Sequence, residues 1–274
     1  MKQIAALLTV HNRKEKTLAC LSCLFSQKIP ADYVVEVYLT DDGCTDGTAE
    51  AVKALSPEGH IIQGDGKLYW NRGMYVAWEA ASKSDYDYYL WLNDDTNLYP
   101  NALLSLIEAS CDKEDKAIII GATQDAAHTK TTYGGRLKSG KVAPVNGQNQ
   151  TVHHFNGNIV LVPCAVFKVL GNLDWYFTHS KGDFDYGLRA NKNGIEMFQV
   201  GHYLGECENH PTVDKWCNPN VPFKERWEAM WRPNGMPPHE TFHLEKRHIG
   251  IFFASFHYVT ILIRCIFPRL WLKR

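Results

Sequence analysis

Apolar runs of strand length alternate with helix-like segments through the first 95 residues, and this alternation is the strongest constraint on the fold. The strand-like runs are residues 4–10, 34–39, 60–62 and 89–92, and the segments between them with helical character are residues 14–27, 48–54 and 71–82. Strands and helices that alternate with short connections predict a parallel sheet covered by helices on both faces. In such sheets ligands bind outside the carboxyl ends of the strands, so we expect the functional site at that edge.

The fourth run, Tyr-Leu-Trp-Leu, ends abruptly in Asn93, Asp94 and Asp95. Its side chains suit a strand covered on both faces, and the short polar residues that follow favour a turn. Two adjacent carboxylates repel each other and therefore favour a nearby cation. Proteins commonly hold Mg²⁺ with one or two carboxylates plus the phosphates of a substrate. The alternative interpretation is a solvated turn that caps the next helix.

Bulk composition excludes several functional classes. The chain has 274 residues, 45% of them hydrophobic, which is enough for a sizeable core in one or two domains. A formal net charge of -1 provides no basic field to attract nucleic acid. The N-terminus has no secretory signal pattern, so we expect a cytoplasmic protein. The cysteines are scattered, and Cys20 and Cys23 have no second pair at zinc-site spacing, which favours reduced structural thiols.

The C-terminal residues differ in composition from the rest of the chain. Residues 249–263 contain no formally charged side chain, and four basic residues and Trp271 follow them. A helix needs about 20 apolar residues to span a bilayer, so this segment is short for a span. An apolar helix with a basic end favours peripheral contact with a membrane through about residues 249–274. Packing on the domain, or against another subunit, remains open.

Five motifs carry a resemblance to a known family. They are TVHNR at 9–13, DDGCTDGT at 41–48, NDDT at 93–96, NGNIVLVP at 156–163 and GDFDYGLRA at 182–190. In this order and spacing, over about residues 1–210, the chain resembles a family 2 glycosyltransferase of the GT-A fold, of the kind found in bacterial rhamnosyltransferases. The resemblance implies an α/β domain over 1–215, with a nucleotide-binding half at about 1–100 and an acceptor half at about 101–215. A helical extension over 216–274 follows.

The resemblance also implies how a nucleotide-sugar donor would bind. Thr9 and Asn12 would line the pocket for the base, and Asp42 would accept a hydrogen bond from the N–H of the pyrimidine ring. Asp94 would hold the ribose hydroxyls. Asp95 would coordinate Mg²⁺ or Mn²⁺, which is the role of the last acid in the D-x-D pattern of the family.

Further residues have roles in the same scheme. Arg13, Lys67 and Arg72 would bind the donor, the last two by reaching its diphosphate. A helix start after the Gly-Asp-Gly loop at 64–66 would also favour an anion. His202 would be a third metal ligand, and His210 is a weaker candidate for that role.

Asp183 matches the second acid of the Glu-Asp pair that supplies the general base in this family. The first position of the pair is Gly182 here, so only one acid remains. The acceptor would lie near Asn156, Trp175 and Tyr176.

The function implied by the resemblance is the transfer of a hexose or deoxyhexose, with inversion, from a UDP- or dTDP-linked donor. The acceptor would be a hydroxyl of a saccharide, lipid-linked at the inner face of the plasma membrane, in the biosynthesis of a surface polysaccharide. Two alternatives remain open: a nucleotidyltransferase, and a catalytically silent sugar-binding subunit, which Gly182 would favour. A dinucleotide oxidoreductase is disfavoured, because the turn at residues 10–13 contains no glycine.

Overall fold

The computed structural model of the chain describes residues 1–208 and 214–271. The chain forms two compact units. One comprises Met1–Trp175 and Gly182–Asn209, and the other comprises Tyr176–Lys181 and His210–Arg274. The first unit contains the sheet, and the second is built from helices.

The first unit follows the alternation expected from the sequence. Its strands are β1 Lys2–Val10, β2 Tyr33–Asp41, β3 His60–Gln63, β4 Tyr88–Leu92, β5 Asn97–Leu98, β6 Ile118–Gln124, β7 Gly135–Arg136, β8 Gln150–Thr151, β9 His154–Phe155, β10 Ile159–Pro163 and β11 Met197–Glu206. Its helices are α1 Lys14–Phe25, α2 Thr48–Leu55, α3 Tyr69–Ala81, α4 Ala102–Cys111, α5 Cys164–Leu170 and α6 Gly182–Lys192.

The central sheet has the order β3-β2-β1-β4-β10-β6-β11-β5, and β8 pairs with β11. Strands β1 to β4 are parallel to one another, and β11 is parallel to β6. Strand β10 runs antiparallel between β4 and β6. The predicted mostly parallel α/β sheet is therefore confirmed. Because β10 is reversed, its amino end reaches the edge at which β1, β2 and β4 end.

Strand β1 shows why its sequence is apolar without interruption. Alternate residues along it point to opposite faces, and both faces are buried. Ile4 and Leu8 belong to a core cluster with helices α1 and α4. Ala5 and Leu7 belong to a second cluster with α3, α5 and α6. A strand covered on both faces has no side on which polar residues are favoured.

The second unit contains α7 Phe223–Trp231, α8 Pro238–His248 and α9 Ile251–Ile266, with short 3₁₀ turns at Lys215–Cys217 and Pro268–Trp271. The buried guanidinium of Arg226 in α7 donates to the carbonyl oxygens of Cys265 at 2.8 Å and Ile266 at 3.1 Å. These carbonyls have no partner within α9, so Arg226 caps the end of that helix. Among the described residues, no helix has both the length and the apolar content needed to cross a bilayer.

Candidate active site

Polar side chains from several elements meet at the edge where β1, β2 and β4 end. This edge receives the turns after Val10, Asp41 and Leu92, the segment before β10, and the end of β11. A separate cavity of about 630 Å³ lies at the opposite edge, beside residues such as Lys2 and Asp87. The convergence predicted from the strand–helix alternation is therefore present, and the cavity is remote from it.

Arg13 bridges the two acids at the tip of β4. Its Nη1 lies 2.8 Å from Oδ2 of Asp95, and its Nη2 contacts Oδ1 of Asp94. A planar guanidinium presents its donors as a fork, which suits two oxygens at once. Arg13 was expected to bind the donor, and in this structure it neutralises the acidic pair.

The two acids differ in environment. Asp94 is 1% exposed, and its Oδ2 atom is buried without a hydrogen-bond partner. Burial raises the pKa of Asp94 to about 7; the nearby charge of Asp95 adds to the rise, and Arg13 opposes it. The side chain of Asp95 is more accessible, and its Oδ1 lies 3.6 Å from Sγ of Cys207. Burial raises the pKa of the Cys207 thiol to about 12, so it remains protonated and donates to Asp95.

Asp94 and Asp95 suit a hard divalent cation. They converge on one positive group, and one buried carboxylate oxygen has no partner. In the part of the chain that the structure describes, no three His, Cys, Asp or Glu side chains form a metal cluster. The two carboxylates would hold Mg²⁺ or Mn²⁺ together with oxygens of a substrate, as is usual for Mg²⁺. Asp94 is thus a second candidate metal ligand beside Asp95, and its contact with the ribose hydroxyls stays a prediction.

His202 does not join the acidic pair. It lies exposed within β11, and its Nε2 is 3.1 Å from Oγ of Ser105 in α4. Cys207, five residues later in the chain, is the residue that reaches Asp95. Among the described residues, His202 does not form a cluster of three potential metal ligands with these acids. The alternative candidate, His210, lies outside the described residues.

Asp42 holds the loop that precedes α3. Its Oδ1 accepts the N–H groups of Gly66 at 2.8 Å and Leu68 at 3.2 Å, and its Oδ2 accepts that of Tyr69 at 2.9 Å. A carboxylate oxygen has two lone-pair sites, so Oδ2 retains capacity for one more donor. Contact with a pyrimidine N–H remains a prediction, and the anchoring of this loop is an additional role.

Asn12 and Thr9 have structural contacts of their own at the end of β1. Asn12 has a φ of 51°, which asparagine tolerates better than most residues, and its Oδ1 accepts the N–H of Thr45 at 2.7 Å. Thr9 is buried beneath α3 at Gly73. A Cβ at Gly73 would lie 2.0 Å from Oγ1 of Thr9, so only glycine allows the helix to come this close.

Arg72 contacts a residue predicted to bind the acceptor. Its Nε donates to the carbonyl of Trp175 at 3.1 Å, and its guanidinium lies 5.1 Å from the centre of the Trp175 ring. Lys67 is exposed on the preceding loop, where its backbone N–H donates to Asp65 at 2.9 Å. Tyr176 belongs to the second unit, where its ring stacks on His243 with centroids 3.9 Å apart.

Asp183 lies in the first turn of α6 and is held by two backbone N–H groups. Phe184 donates to Oδ1 at 2.8 Å, and Gly157 donates to Oδ2 at 3.1 Å. Burial raises the pKa of Asp183 to about 6, while these two hydrogen bonds and the charge of Arg136 oppose the rise. A carboxylate with this pKa is ionised at neutral pH and basic enough to accept a proton in catalysis.

Trp70 connects the acidic strand tip to the surroundings of Asp183. Its indole N–H donates to Oδ1 of Asn93 at 2.7 Å. A Cβ at Gly157 would lie 2.6 Å from the Trp70 ring and 3.4 Å from Cβ of Asp183. The N–H of Asn93 donates to the carbonyl of Asn158 at 3.1 Å. The start of α3, the end of β4 and the start of β10 are therefore joined at one point.

Gly182 has a steric explanation. A Cβ at this position would lie 1.6 Å from Oδ1 of Asn71, a fully buried residue of α3. Nδ2 of Asn71 donates to the carbonyl of Asp174 at 2.8 Å, which fixes the carboxamide in place. The space for a side chain at residue 182 is thus filled from another helix.

Comparison with known proteins identifies the family. The model for Glycosyl transferase family 2 matches residues 6–171. The chain belongs to this family. No curated protein matches the chain.

Solved structures of TarS from S. aureus resemble this member of family 2. In one, 92% of this chain aligns with 44% of TarS, at 14% identity and a TM-score of 0.56. TarS 1-349 in complex with UDP aligns over 100% of this chain and 76% of that chain, at 15% identity and a TM-score of 0.57. TarS 1-349 alone aligns over 94% of this chain and 72% of that chain, at 13% identity and a TM-score of 0.55. The likeness confirms the GT-A fold, and this chain spans less than half of the longer TarS structure.

The structure adds residues to the site that the motifs of the family did not identify. Asn156, predicted to bind the acceptor, accepts a hydrogen bond from Nε of Arg136 at 3.0 Å, and Arg136 also lies over the ring of Phe184 beside Asp183. Cys207 contacts Asp95. Neither Arg136 nor Cys207 was predicted from the sequence. Arg136 belongs to a strand of two residues and Cys207 follows the end of β11, so neither residue lies in a motif that indicates a functional role.

Proposed function

We propose that the chain transfers a hexosyl or deoxyhexosyl group from a UDP- or dTDP-linked donor to a hydroxyl of a saccharide acceptor, with inversion. The environment of Asp183 is the observation on which this proposal depends. It is a half-buried carboxylate whose pKa is raised to about 6, in the first turn of α6, beside the strand edge that carries Asp94 and Asp95. Membership of family 2 supports glycosyl transfer, and the UDP bound by TarS supports a nucleotide-linked donor.

Asp183 acts as the general base in this mechanism. Its carboxylate takes the proton of the acceptor hydroxyl, and that oxygen attacks the anomeric carbon of the donor sugar. The bond from the anomeric carbon to the phosphate oxygen breaks, and the nucleoside diphosphate leaves with the bonding electrons. A single displacement inverts the configuration and requires one base. The second carboxylate that a retaining glycosidase uses as its nucleophile is therefore unnecessary.

The N–H groups of Phe184 and Gly157 hold the carboxylate of Asp183 in one orientation and limit its basicity. Trp70 presents a partly exposed ring beside Gly157, which would pack on the acceptor or the donor sugar. Asp94 and Asp95 would hold Mg²⁺ or Mn²⁺. When bound, such an ion stabilises the negative charge of the departing diphosphate as a Lewis acid.

A thermal-unfolding panel tests the donor class. The protein is measured with UDP-, dTDP-, GDP- and CMP-sugars, each with and without Mn²⁺. A ligand that binds only the folded state adds about 2.7 kcal/mol at a hundredfold excess over its Kd. We expect a Mn²⁺-dependent rise in Tm with the UDP- or dTDP-sugar alone. A folded protein that responds to none of the four contradicts the proposal and favours the silent sugar-binding subunit. Slow Mn²⁺-dependent hydrolysis of the donor without acceptor separates an enzyme from that subunit.

We further propose that the acceptor is lipid-linked and that α9 rests on the inner face of the plasma membrane. One face of α9 packs within its own unit through Ala254, Ile261 and Cys265. An apolar stripe on the opposite face is exposed at helical spacing. The stripe comprises Phe252, Phe256, Val259, Ile263 and Ile266.

The largest side chains of the stripe lie near the start of α9, where Phe252 is 90% exposed and Phe256 is 70% exposed. Exposed apolar patches of this kind mark surfaces that bind another molecule. Exposed Lys246 and Arg269 belong to the same unit and provide positive charge. Apolar side chains together with basic groups favour an anionic lipid surface. This pattern supports a peripheral role for the helix.

A further inference from the structure

The cation that neutralises the acidic pair in this structure is part of the chain. Arg13 contacts one oxygen of each acid through separate nitrogens, Nη1 with Asp95 and Nη2 with Asp94. Asp94 is 1% exposed, so its charge has little stabilisation from solvent and depends on this partner. Arg13 immediately precedes α1, and its carbonyl accepts the N–H of Thr17 at 3.0 Å. The backbone of Arg13 is therefore fixed while its side chain remains 40% exposed.

A divalent cation and the guanidinium would share the same pair of carboxylates. Both are positively charged and both are attracted to the same two carboxylates, so they repel each other when they bind this pair. A diphosphate offers Arg13 an alternative partner, because a guanidinium binds phosphate oxygens with the same forked geometry as carboxylates. Arg13 is accessible enough to exchange one partner for the other.

We propose that Arg13 is an exchangeable counter-cation that couples donor binding to metal binding. Without donor it occupies the acidic pair and weakens metal binding. When the diphosphate of the donor arrives, Arg13 turns to it and releases Asp94 and Asp95 to the metal ion. This inference rests on the proposed function for the identity of the anion. Because coupling between two ligands is reciprocal, Mn²⁺ must increase donor affinity by the same factor by which the donor increases Mn²⁺ affinity.

The test measures Mn²⁺ binding directly, by the loss of the electron paramagnetic resonance signal of free Mn²⁺. Wild type and Arg13→Gln are titrated without nucleotide. We expect Arg13→Gln to bind Mn²⁺ more tightly, by about 5- to 150-fold, the usual range of coupling between sites. Titrations with UDP and with dTDP are run in parallel. The nucleotide should tighten Mn²⁺ binding to wild type by a larger factor than it tightens binding to Arg13→Gln.

Two variants control the measurement. Asp95→Asn in the Arg13→Gln background should abolish the gained affinity, which places the ion on the acidic pair. If Arg13→Gln does not fold, as judged by circular dichroism and thermal unfolding, Arg13→Lys replaces it. A lysine keeps the charge but cannot fork across two carboxylates, so we expect a Mn²⁺ affinity above that of wild type.

Equal Mn²⁺ affinity in wild type and the folded Arg13 variant would overturn the inference, because Arg13 and the ion would then not compete. Absence of Mn²⁺ binding in every variant would overturn it as well. Failure of the proposed function has a different signature, since wild type would then bind neither UDP nor dTDP. The comparison of Mn²⁺ affinities without nucleotide would still decide whether Arg13 competes with the ion.

Discussion

At the scale of single residues, the basicity of Asp183 reflects two opposing effects. Burial raises its pKa to about 6, and the N–H groups of Phe184 and Gly157, with the charge of Arg136, prevent a larger rise. A base must be ionised to accept a proton and still have affinity for that proton. A pKa just below neutral satisfies both requirements.

We therefore expect kcat/KM to fall as the pH is lowered through about 6, because protonated Asp183 cannot act as the base. The fall should be about tenfold per pH unit once the pH is well below the pKa. The measurement is a pH profile of transfer with the nucleotide-sugar that raises Tm in the thermal-unfolding panel. Arg136→Gln removes a charge that opposes the rise, so its profile should move to higher pH. If kcat/KM instead falls only near pH 4, the ordinary pKa of aspartate, Asp183 is not the general base.

Asp183→Asn should reduce transfer by about 10²–10⁴-fold, the usual contribution of a general base. An amide has the shape of the carboxylate but cannot take up the proton at this pH. Transfer is followed by nucleotide release, and thermal unfolding and donor binding serve as controls. Near wild-type transfer in a folded, donor-binding variant would exclude Asp183 as the base.

The stability of the same variant also has a pH signature. Because the folded-state pKa is raised, the folded protein holds this proton more tightly than the unfolded chain. Asp183 therefore lowers the unfolding free energy as the pH rises from about 4 to 6, and it contributes no difference at lower pH. Urea titrations should show the unfolding free energy of Asp183→Asn rising relative to wild type across this interval. No change in this difference across the interval would indicate an ordinary pKa.

At the scale of elements, the contact between α3 and α6 positions the base. Asn71 of α3 occupies the space beside Gly182, the residue that precedes Asp183. Helix α6, which carries Asp183, is thus positioned against α3. The loop before α3 is in turn held by Asp42. Residue 182 must be small because the buried carboxamide of Asn71 fills the space that its side chain would need.

Gly182→Ala should destabilise the protein by about 1–3 kcal/mol, because overpacking a buried contact forces neighbouring atoms to move. A Cβ 1.6 Å from Oδ1 of Asn71 cannot be accommodated without such movement. Asn71→Ala in the same background should recover part of the loss. The four proteins of this double-mutant cycle are compared by urea unfolding. Strictly additive effects would show that Asn71 does not cause the clash.

At the scale of the whole molecule, the second unit presents an apolar face that its own fold does not cover. Helix α9 has buried residues on one side and exposed phenylalanines on the other. A helix that served only as core would expose polar residues on its outer face. The outer face of α9 is therefore available to a partner, and the proposed partner is the membrane surface.

Phe252→Ser combined with Phe256→Ser should remove most binding to vesicles that contain anionic phospholipid. Both side chains are largely exposed, so the fold should tolerate the change. Co-sedimentation with such vesicles measures the effect. Val169→Ser, which changes an exposed apolar residue of the first unit, is the matched control. Unchanged vesicle binding by the double variant would refute the membrane proposal, and a change in oligomeric state would indicate a second copy as the partner.

The elements, and the edge at which the site lies, could be predicted from the order of the amino acids. Periodicities of two and of 3.6 residues follow from the geometry of the backbone, so apolar spacing alone predicts strands such as β1 and helices such as α1. A chain of parallel strands and helices also has one edge where the strands end. This is why the strand order placed Asp42 and Asp95 near one edge, whereas the role of Asp183 was implied only by the family resemblance.

Which side chains meet could not be predicted in this way, because it depends on how distant segments pack together. Arg13 and Asp94 are separated by 81 positions, Asp95 and Cys207 by 112, and their pairing depends on strand order and helix packing. The same is true of the contact between Asn71 and Gly182 and of the exposed face of α9. The spacing of residues within a segment specifies its local conformation. Contacts between distant segments depend on the free energy of the whole packed arrangement. The family resemblance implies that His202 is a metal ligand, whereas in the folded chain its imidazole lies beside Ser105.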